Sequence, residues 1–320
     1  MQGRIVPANA EWIAEAAHMI RSGALVAFPT ETVYGLGADA TNGEAVARVF
    51  AAKGRPTFNP LIVHVAGIEQ ALMIGSFSAT ARRLAEAFWP GPLTLVVPKL
   101  ETANVSDLVS AGLPTIAIRA PDHPVARELL KEAHRPIAAP SANRSGHISA
   151  TRAEHVASDL GDSATLILNG GPTAHGLEST VLSLVGARPL VLRPGAVPLD
   201  AIEQVIGEKI ARANESGTHL SSPGQLRSHY APRSKLRLNA KTWTPDEAVL
   251  AFGNVAPGTC RASINLSPSG DLIEAAANLF AALRTLDASG AGTIAVTPVP
   301  TNGIGEAIND RLERAAAPRD

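Results

Sequence analysis

The sequence has 320 residues, 45% hydrophobic and 18% charged; its length exceeds what one hydrophobic core usually fills, and its composition excludes disorder, so two globular domains are expected. A net charge of −1, with no basic excess in the first two-thirds or in the remainder, argues against an autonomous nucleic-acid binder, and the single cysteine excludes an internal disulfide framework. Met1-Gln2-Gly3-Arg4-Ile5 carries no apolar leader and no apolar run is long enough to span a bilayer, so no membrane association and a cytoplasmic location are expected.

Strand-like and helix-like segments alternate along the first two-thirds. Residues 11–21 place Ile13, Ala17 and Ile20 on one helical face, and a glycine closes the helix before an apolar strand at 24–28. Thr41-Asn42-Gly43-Glu44 has capping-box spacing and predicts a helix running to residue 52. Strands are expected at 61–65, 93–97, 115–119 and 136–139. Asp122 is positioned to cap a helix through residue 133, and Thr151-Arg152-Ala153-Glu154 has the spacing of a second capping box. Strands at 166–168, 179–184 and 190–192 complete an α/β domain with a mixed sheet, closing near Gly207. Small polar residues from 211 to 222 have a linker's composition. A second α/β pattern follows Pro232, with strands near 236–238, 249–252 and 293–296 and helices at 272–286 and 306–315. The expected division is therefore 1–210, a linker over 211–232, and a smaller domain over 233–320.

Standard catalytic signatures are absent: no phosphate-binding Gly-Lys loop, no G-x-G-x-x-G, no H-E-x-x-H and no G-x-S-x-G. The nine histidines show no metal-ligand spacing, and Cys260 has no histidine near it in sequence, so it reads as a small hydrophobe at a strand end. Chemistry should then rest on positioning and charge neutralisation. Lys53-Gly54-Arg55-Pro56 has two readings: basic residues and breakers at a helix C-terminus, or a phosphate clamp of point-charge lysine and forked arginine. On the next strand Leu61, Val63 and Val65 share one face, and His64 shares the other with Ile62. Extending strand periodicity through 28–32 places Thr30 and Thr32 opposite Glu31. Thr115 and Arg119 share the face opposite Ile116 and Ile118; an arginine on an inner strand is costly unless it meets an anion. Pro140-Ser141-Ala142-Asn143 sets two hydrogen-bonding side chains just beyond a strand.

Taken together, Phe28-Pro29-Thr30-Glu31-Thr32-Val33-Tyr34-Gly35-Leu36-Gly37, Lys53-Gly54-Arg55-Pro56, Asn59-Pro60-Leu61, Trp89-Pro90-Gly91-Pro92-Leu93-Thr94, Pro140-Ser141-Ala142-Asn143, Gly176-Leu177-Glu178-Ser179-Thr180-Val181 and Leu192-Arg193-Pro194-Gly195 resemble the threonylcarbamoyl-AMP synthase (YrdC-like) family. Ser222-Pro223-Gly224, then His229-Tyr230-Ala231-Pro232 and a second domain, resemble its long two-domain form. The resemblance implies a twisted mixed sheet with flanking helices plus a Rossmann-like C-terminal α/β domain. It implies a nucleotidyltransferase joining ATP, L-threonine and bicarbonate into threonylcarbamoyl-AMP and pyrophosphate, the first step of a tRNA modification. A separate tRNA threonylcarbamoyl transferase would receive the product, with no stable nucleic-acid binding by this chain.

By position, the resemblance assigns threonine to Thr32, His64, Arg119, Ala139 and Ser179. It assigns ATP to Arg55, Asn59, Thr115, Ser141, Asn143, Ser149, Arg193 and Tyr230, with Lys53 and Arg55 catalytic. The carboxylate of threonine would be the anion that Arg119 requires. Mg²⁺ would arrive with the triphosphate. Tyr230 would lie on a lid. Two departures stand out: Gln225-Leu226-Arg227-Ser228 lacks the basic and aromatic residues common there, and Ala150 replaces a frequent proline. Two competing readings are a carbamoyl-transfer domain of hydrogenase maturation, whose acylphosphatase-like and zinc-finger segments the sequence lacks, and an RNA-binding module, which its near-neutral charge disfavours.

Overall fold

The computed structural model describes residues 3–212 and 228–318. The first domain is built on one mixed eleven-stranded sheet. In spatial order its strands are Arg4–Pro7, Leu166–Asn169, Val26–Phe28, Gly35–Asp39, Ile137–Ala138, Ile62–His64, Thr115–Arg119, Leu93–Pro98, Thr180–Ser183, Leu190–Arg193 and Ala211–Arg212. The parallel pairing of Ile62–His64 with Thr115–Arg119 sets His64 directly opposite Arg119. This register creates the site, because alternation then sends both side chains to the same face.

The two faces are covered differently. Leu61, Val63, Val65, Ile116 and Ile118 belong to the main core, together with Val46, Val49 and Phe50 of the helix Gly43–Lys53 and Leu84 of Ala79–Phe88. On the other face, the helices Ala10–Arg21 and Pro124–Ala133 cover the strands toward one edge. Further along, Ile62, Ala117, Val181 and Leu192 form only a small apolar cluster. Beside that cluster the same strands present His64 and Arg119.

The C-terminal domain is a four-stranded parallel sheet, ordered Lys235–Arg237, Thr293–Val296, Ala248–Ala251 and Ala262–Asn265. It carries the helices Leu272–Ala288 and Gly305–Ala316 and matches the expected Rossmann-like pattern. Val33, Ile148 and Leu177 of the first domain join its apolar core. Gly176, at φ +65°, permits this approach: a Cβ there would lie 2.4 Å from the carbonyl oxygen of Ala277. Arg284 forms an ion pair with Asp159 across the same interface at 2.6 Å.

Several local expectations are corrected. Asn42, not Thr41, caps the helix Gly43–Lys53, accepting from the amides of Glu44 and Ala45, while Thr41 turns back to Asp39. His123 Nδ1, not Asp122, caps Pro124–Ala133. Thr151 bonds to His155 rather than closing a capping box, and Ala153–Leu160 has no side-chain cap. The chain leaves the sheet after Phe28, so strand periodicity does not extend to Glu31 and Thr32; both reach Arg119. The strand Gly35–Asp39 goes beyond the expected elements: all five of its residues are buried, so there is no alternation to read. Gly37 in that strand has no room for a Cβ, which would meet Phe28 at 2.7 Å. Ala262–Asn265 was also unforeseen, and Cys260 lies just before it, half-buried. Residues 211 and 212, at the start of the expected linker, pair with Leu190 and Val191. The Ser222-Pro223-Gly224 motif and the departures at 225–227 lie outside the described residues.

Candidate active site

A cavity of about 50 Å³ opens on the sparsely covered face of the sheet. All five residues assigned to threonine line it: Thr32, His64, Arg119, Ala139 and Ser179. Arg119 is held from three sides: Nη1 donates to Thr32 Oγ1 at 2.9 Å, Nη2 to Glu31 Oε1 at 2.5 Å, and Nε to the Gly91 carbonyl at 3.3 Å. Glu31 is thus the internal anion that permits an arginine on this inner strand, a partner the sequence reading did not identify. Burial opposes ionisation of Glu31, but the charge and hydrogen bond of Arg119 outweigh it and hold the carboxyl below its ordinary range. Burial and the Arg119 charge push His64 down to about 3, so it presents a neutral imidazole, and its buried Nδ1 has no partner. Ser179 Oγ is fixed against Thr94 Oγ1 at 2.7 Å.

Four residues assigned to ATP also line the cavity: Arg55, Ser141, Arg193 and Tyr230. Arg55 donates to the Asn59 carbonyl at 3.1 Å, to Asn59 Oδ1 at 2.6 Å and to the Pro60 carbonyl at 2.9 Å. Asn59 thus fixes the orientation of the Arg55 guanidinium. Burial and the Arg193 charge push Arg55 down to about 9. Arg193 donates to the Ser179 carbonyl at 2.9 Å and to Ser179 Oγ at 3.2 Å. The αL conformation of Gly54, at φ 61°, ends the helix between Lys53 and Arg55.

Other assigned residues stand behind the wall. Lys53 donates from Nζ to the carbonyls of Ser141, at 2.5 Å, and of Asn143, while burial and Arg55 lower its pKa well below that of an ordinary lysine. Asn143 secures its own loop through the Arg144 and His147 carbonyls. Ser149 Oγ donates to Glu178 Oε1 at 2.5 Å. Thr115 is half-buried at the far end of its strand, opposite Pro98, and does not line the cavity.

The chain entering the second domain also closes over the site. His229 and Tyr230 line the cavity, with ring centroids 4.0 Å apart. The His229 amide donates to the Arg314 carbonyl, and the Ala231 amide to that of Gly146. Tyr230, at φ 62°, stacks on Phe280 with centroids 5.5 Å apart. Its buried Oη and His229 Nδ1 have no partners. Glu31 Oε2, Asn59 Nδ2 and Asn143 Oδ1 are likewise unpartnered. Such orphans are rare in native interiors, and here most sit in the cavity wall or touch a side chain that does. Glu31, Glu178 and His229 are not among the residues the sequence assigns to the site; all three sit within the quoted motifs, beside Thr32, Ser179 and Tyr230, and that adjacency is the signal that points to them.

Residues 18–195 match the family model Sua5_yciO_yrdC, described as telomere recombination, and residues 197–317 match that of the threonylcarbamoyl-AMP synthase C-terminal domain. The threonylcarbamoyl-AMP synthase of Pyrococcus abyssi is 44% identical, over 97% of this chain and 95% of that protein. The chain belongs to the threonylcarbamoyl-AMP synthase family. The family member of Bacillus subtilis is 42% identical, over 97% of this chain and 94% of its own. The crystal structure of P. abyssi Sua5 complexed with L-threonine superposes with a TM-score of 0.90 at 40% identity, covering 98% of this chain and 97% of that one. Membership makes the chain a nucleotidyltransferase, with the fold and two-domain form that the motifs implied.

Proposed function

We propose that the cavity condenses ATP, L-threonine and bicarbonate into threonylcarbamoyl-AMP and pyrophosphate. The observation that carries this is the joining, in one buried cavity, of a complete polar pocket around Arg119 with the cations Arg55 and Arg193. The relative solved with L-threonine supports threonine as the substrate of the first group.

The threonine amine, as the free base, attacks the carbon of bicarbonate; a C–O bond of bicarbonate breaks and water leaves, giving the carbamate. A carbamate oxygen attacks the α-phosphorus of ATP, and the bond to the β-phosphate oxygen breaks, releasing pyrophosphate. No covalent nucleophile on the protein is needed. Arg55 and Arg193 supply positive charge where pyrophosphate leaves, a main source of catalysis in transfers at phosphorus. Arg119 and Thr32 orient the amino acid, and His64 remains neutral beside it. Lys53 holds the carbonyls of Ser141 and Asn143 and so shapes the cavity wall. Both carboxylates near the cavity, Glu31 and Glu178, are engaged by arginines, and no cluster of three metal-ligating side chains exists among the described residues. Mg²⁺ is proposed to enter as part of the MgATP substrate, held mainly by phosphate oxygens and water.

A volume of about 50 Å³ is far below the roughly 300–1,000 Å³ of ordinary ligand sites. We take His229 and Tyr230, which line the cavity from the second-domain side, as the part that moves aside to admit ATP and threonine together, and their return as what excludes water from a labile product. We place the reaction in the cytoplasm, where ATP and L-threonine are both at hand. A separate transferase then carries the threonylcarbamoyl group to tRNA.

Pyrophosphate release from ATP, with each co-substrate omitted in turn, tests this reading. Release should require both threonine and bicarbonate; release that ignores threonine overturns it.

A further inference from the structure

We propose that Arg311, supplied by the C-terminal domain, is a positioning residue for the nucleotide part of the site and acts through Glu178 on Ser149. The inference builds on the function proposed above. Arg311 is wholly buried, on the helix Gly305–Ala316. Its Nε donates to Glu178 Oε2 at 2.9 Å, and the other oxygen of that carboxylate accepts from Ser149 Oγ at 2.5 Å. Nη1 is fixed by the Pro194 carbonyl at 2.9 Å and by Asp310 Oδ2 at 2.5 Å. The guanidinium carbon lies 5.1 Å from the centroid of the Tyr230 ring, and Nη2 is buried without a partner. One side chain of the second domain thus touches the cavity wall, the segment after Arg193 and the residue closing the site.

Two physical consequences follow for ATP. Glu178 lines a cavity meant for a polyanion, and an uncompensated carboxylate there would repel the triphosphate; Arg311 supplies the opposing charge. Burial resists the charged form of Glu178, yet Arg311 and Arg193 hold its pKa below the ordinary range, so it stays an acceptor. Ser149, buried behind the cavity wall, then donates its proton to Glu178 and helps to fix the carboxylate that lines the cavity. Arg119, Thr32 and His64 receive no hydrogen bond from this network, so threonine recognition should be spared.

Steady-state pyrophosphate release by the full chain carrying Arg311→Met, with melting curves on the same samples, tests the proposal. The ATP KM should rise by about tenfold or more, as expected for losing a charge-assisted buried bond, while the threonine KM stays within about twofold. A folded variant with the parental ATP KM, or with both KM values raised equally, overturns it. If Arg311→Met does not fold, Arg311→Lys decides: it keeps the charge but loses the fork, so the ATP KM should rise by about threefold, and an unchanged value overturns the proposal. Equilibrium dialysis of ATP against parent and variant keeps this test separate from that of the reaction. A parent that binds ATP but ignores threonine fails the proposed function, whereas equal ATP affinity in parent and variant fails only Arg311.

Discussion

Arg119 and Arg55 line the same cavity but are held in different ways. Arg119 is paired with the Glu31 carboxylate, whereas Arg55 gives its hydrogen bonds to the uncharged oxygens of Asn59 and Pro60. Lys53 behind it also donates to carbonyls alone among the bonds described. Threonine carries no net charge before carboxylation and needs orientation more than neutralisation, so a matched pocket suits it. A triphosphate brings several negative charges, and its partners must not already be neutralised by the protein.

The largest effect that could break this contrast is at the clamp. Arg55→Ala should lower kcat/KM for pyrophosphate release by about a thousandfold or more, the scale of losing a cation from a phosphoryl-transfer site. Lys53→Ala should fall nearly as far by releasing the Ser141–Asn143 loop. An Arg55→Ala enzyme within tenfold of the parent would remove the clamp from the mechanism.

At the matched pocket the expected effect is on stability. Glu31→Gln leaves Arg119 buried without its anion and should cost about 3 kcal/mol in urea unfolding. Threonine, whose carboxylate can replace the missing charge, should raise the melting temperature of Glu31→Gln more than that of the parent. Equal shifts would mean that Arg119 does not meet the amino acid's carboxylate.

A smaller effect is the response to acid. His64 titrates near 6.5 when unfolded but is held down to about 3 in the fold, so between these values the unfolded chain binds more protons. Stability should be intact above about pH 6.5 and fall by about 1.4 kcal/mol per pH unit for this one group as pH drops through that window. His64→Gln should flatten its share of the slope, and an unaltered slope would place His64 in contact with water. The smallest change is expected for Tyr230→Phe, which deletes an Oη that has no partner. Its stability should stay within about 0.5 kcal/mol of the parent, because no hydrogen bond is lost.

What the sequence revealed of these features follows physical lines. The register of 61–65 and 115–119 was legible because β-branched and aliphatic residues alternate with His64 and Arg119, and period two needs no tertiary information. Gly35–Asp39 was not legible, since a strand buried on both faces shows no alternation. Helix ends shifted by a residue wherever Thr, Asn, Asp or His stood side by side, because each can cap and tertiary context chooses. The sequence shows that Arg119 needs an anion, but strand periodicity continued past Pro29 puts Glu31 on the wrong side, because the strand ends at Phe28. The contact between Glu178 and Arg311 joins residues more than a hundred positions apart, and no local pattern predicts it.

The most direct measurement supplies ATP, L-threonine and ¹³C-labelled bicarbonate and follows the nucleotide products by rapid-quench mass spectrometry. The account predicts an adenylate joined to threonine and heavier by the single labelled carbon, appearing in step with pyrophosphate. An adenylate that carries threonine without the label, or pyrophosphate formed with AMP alone from the earliest times, would contradict it.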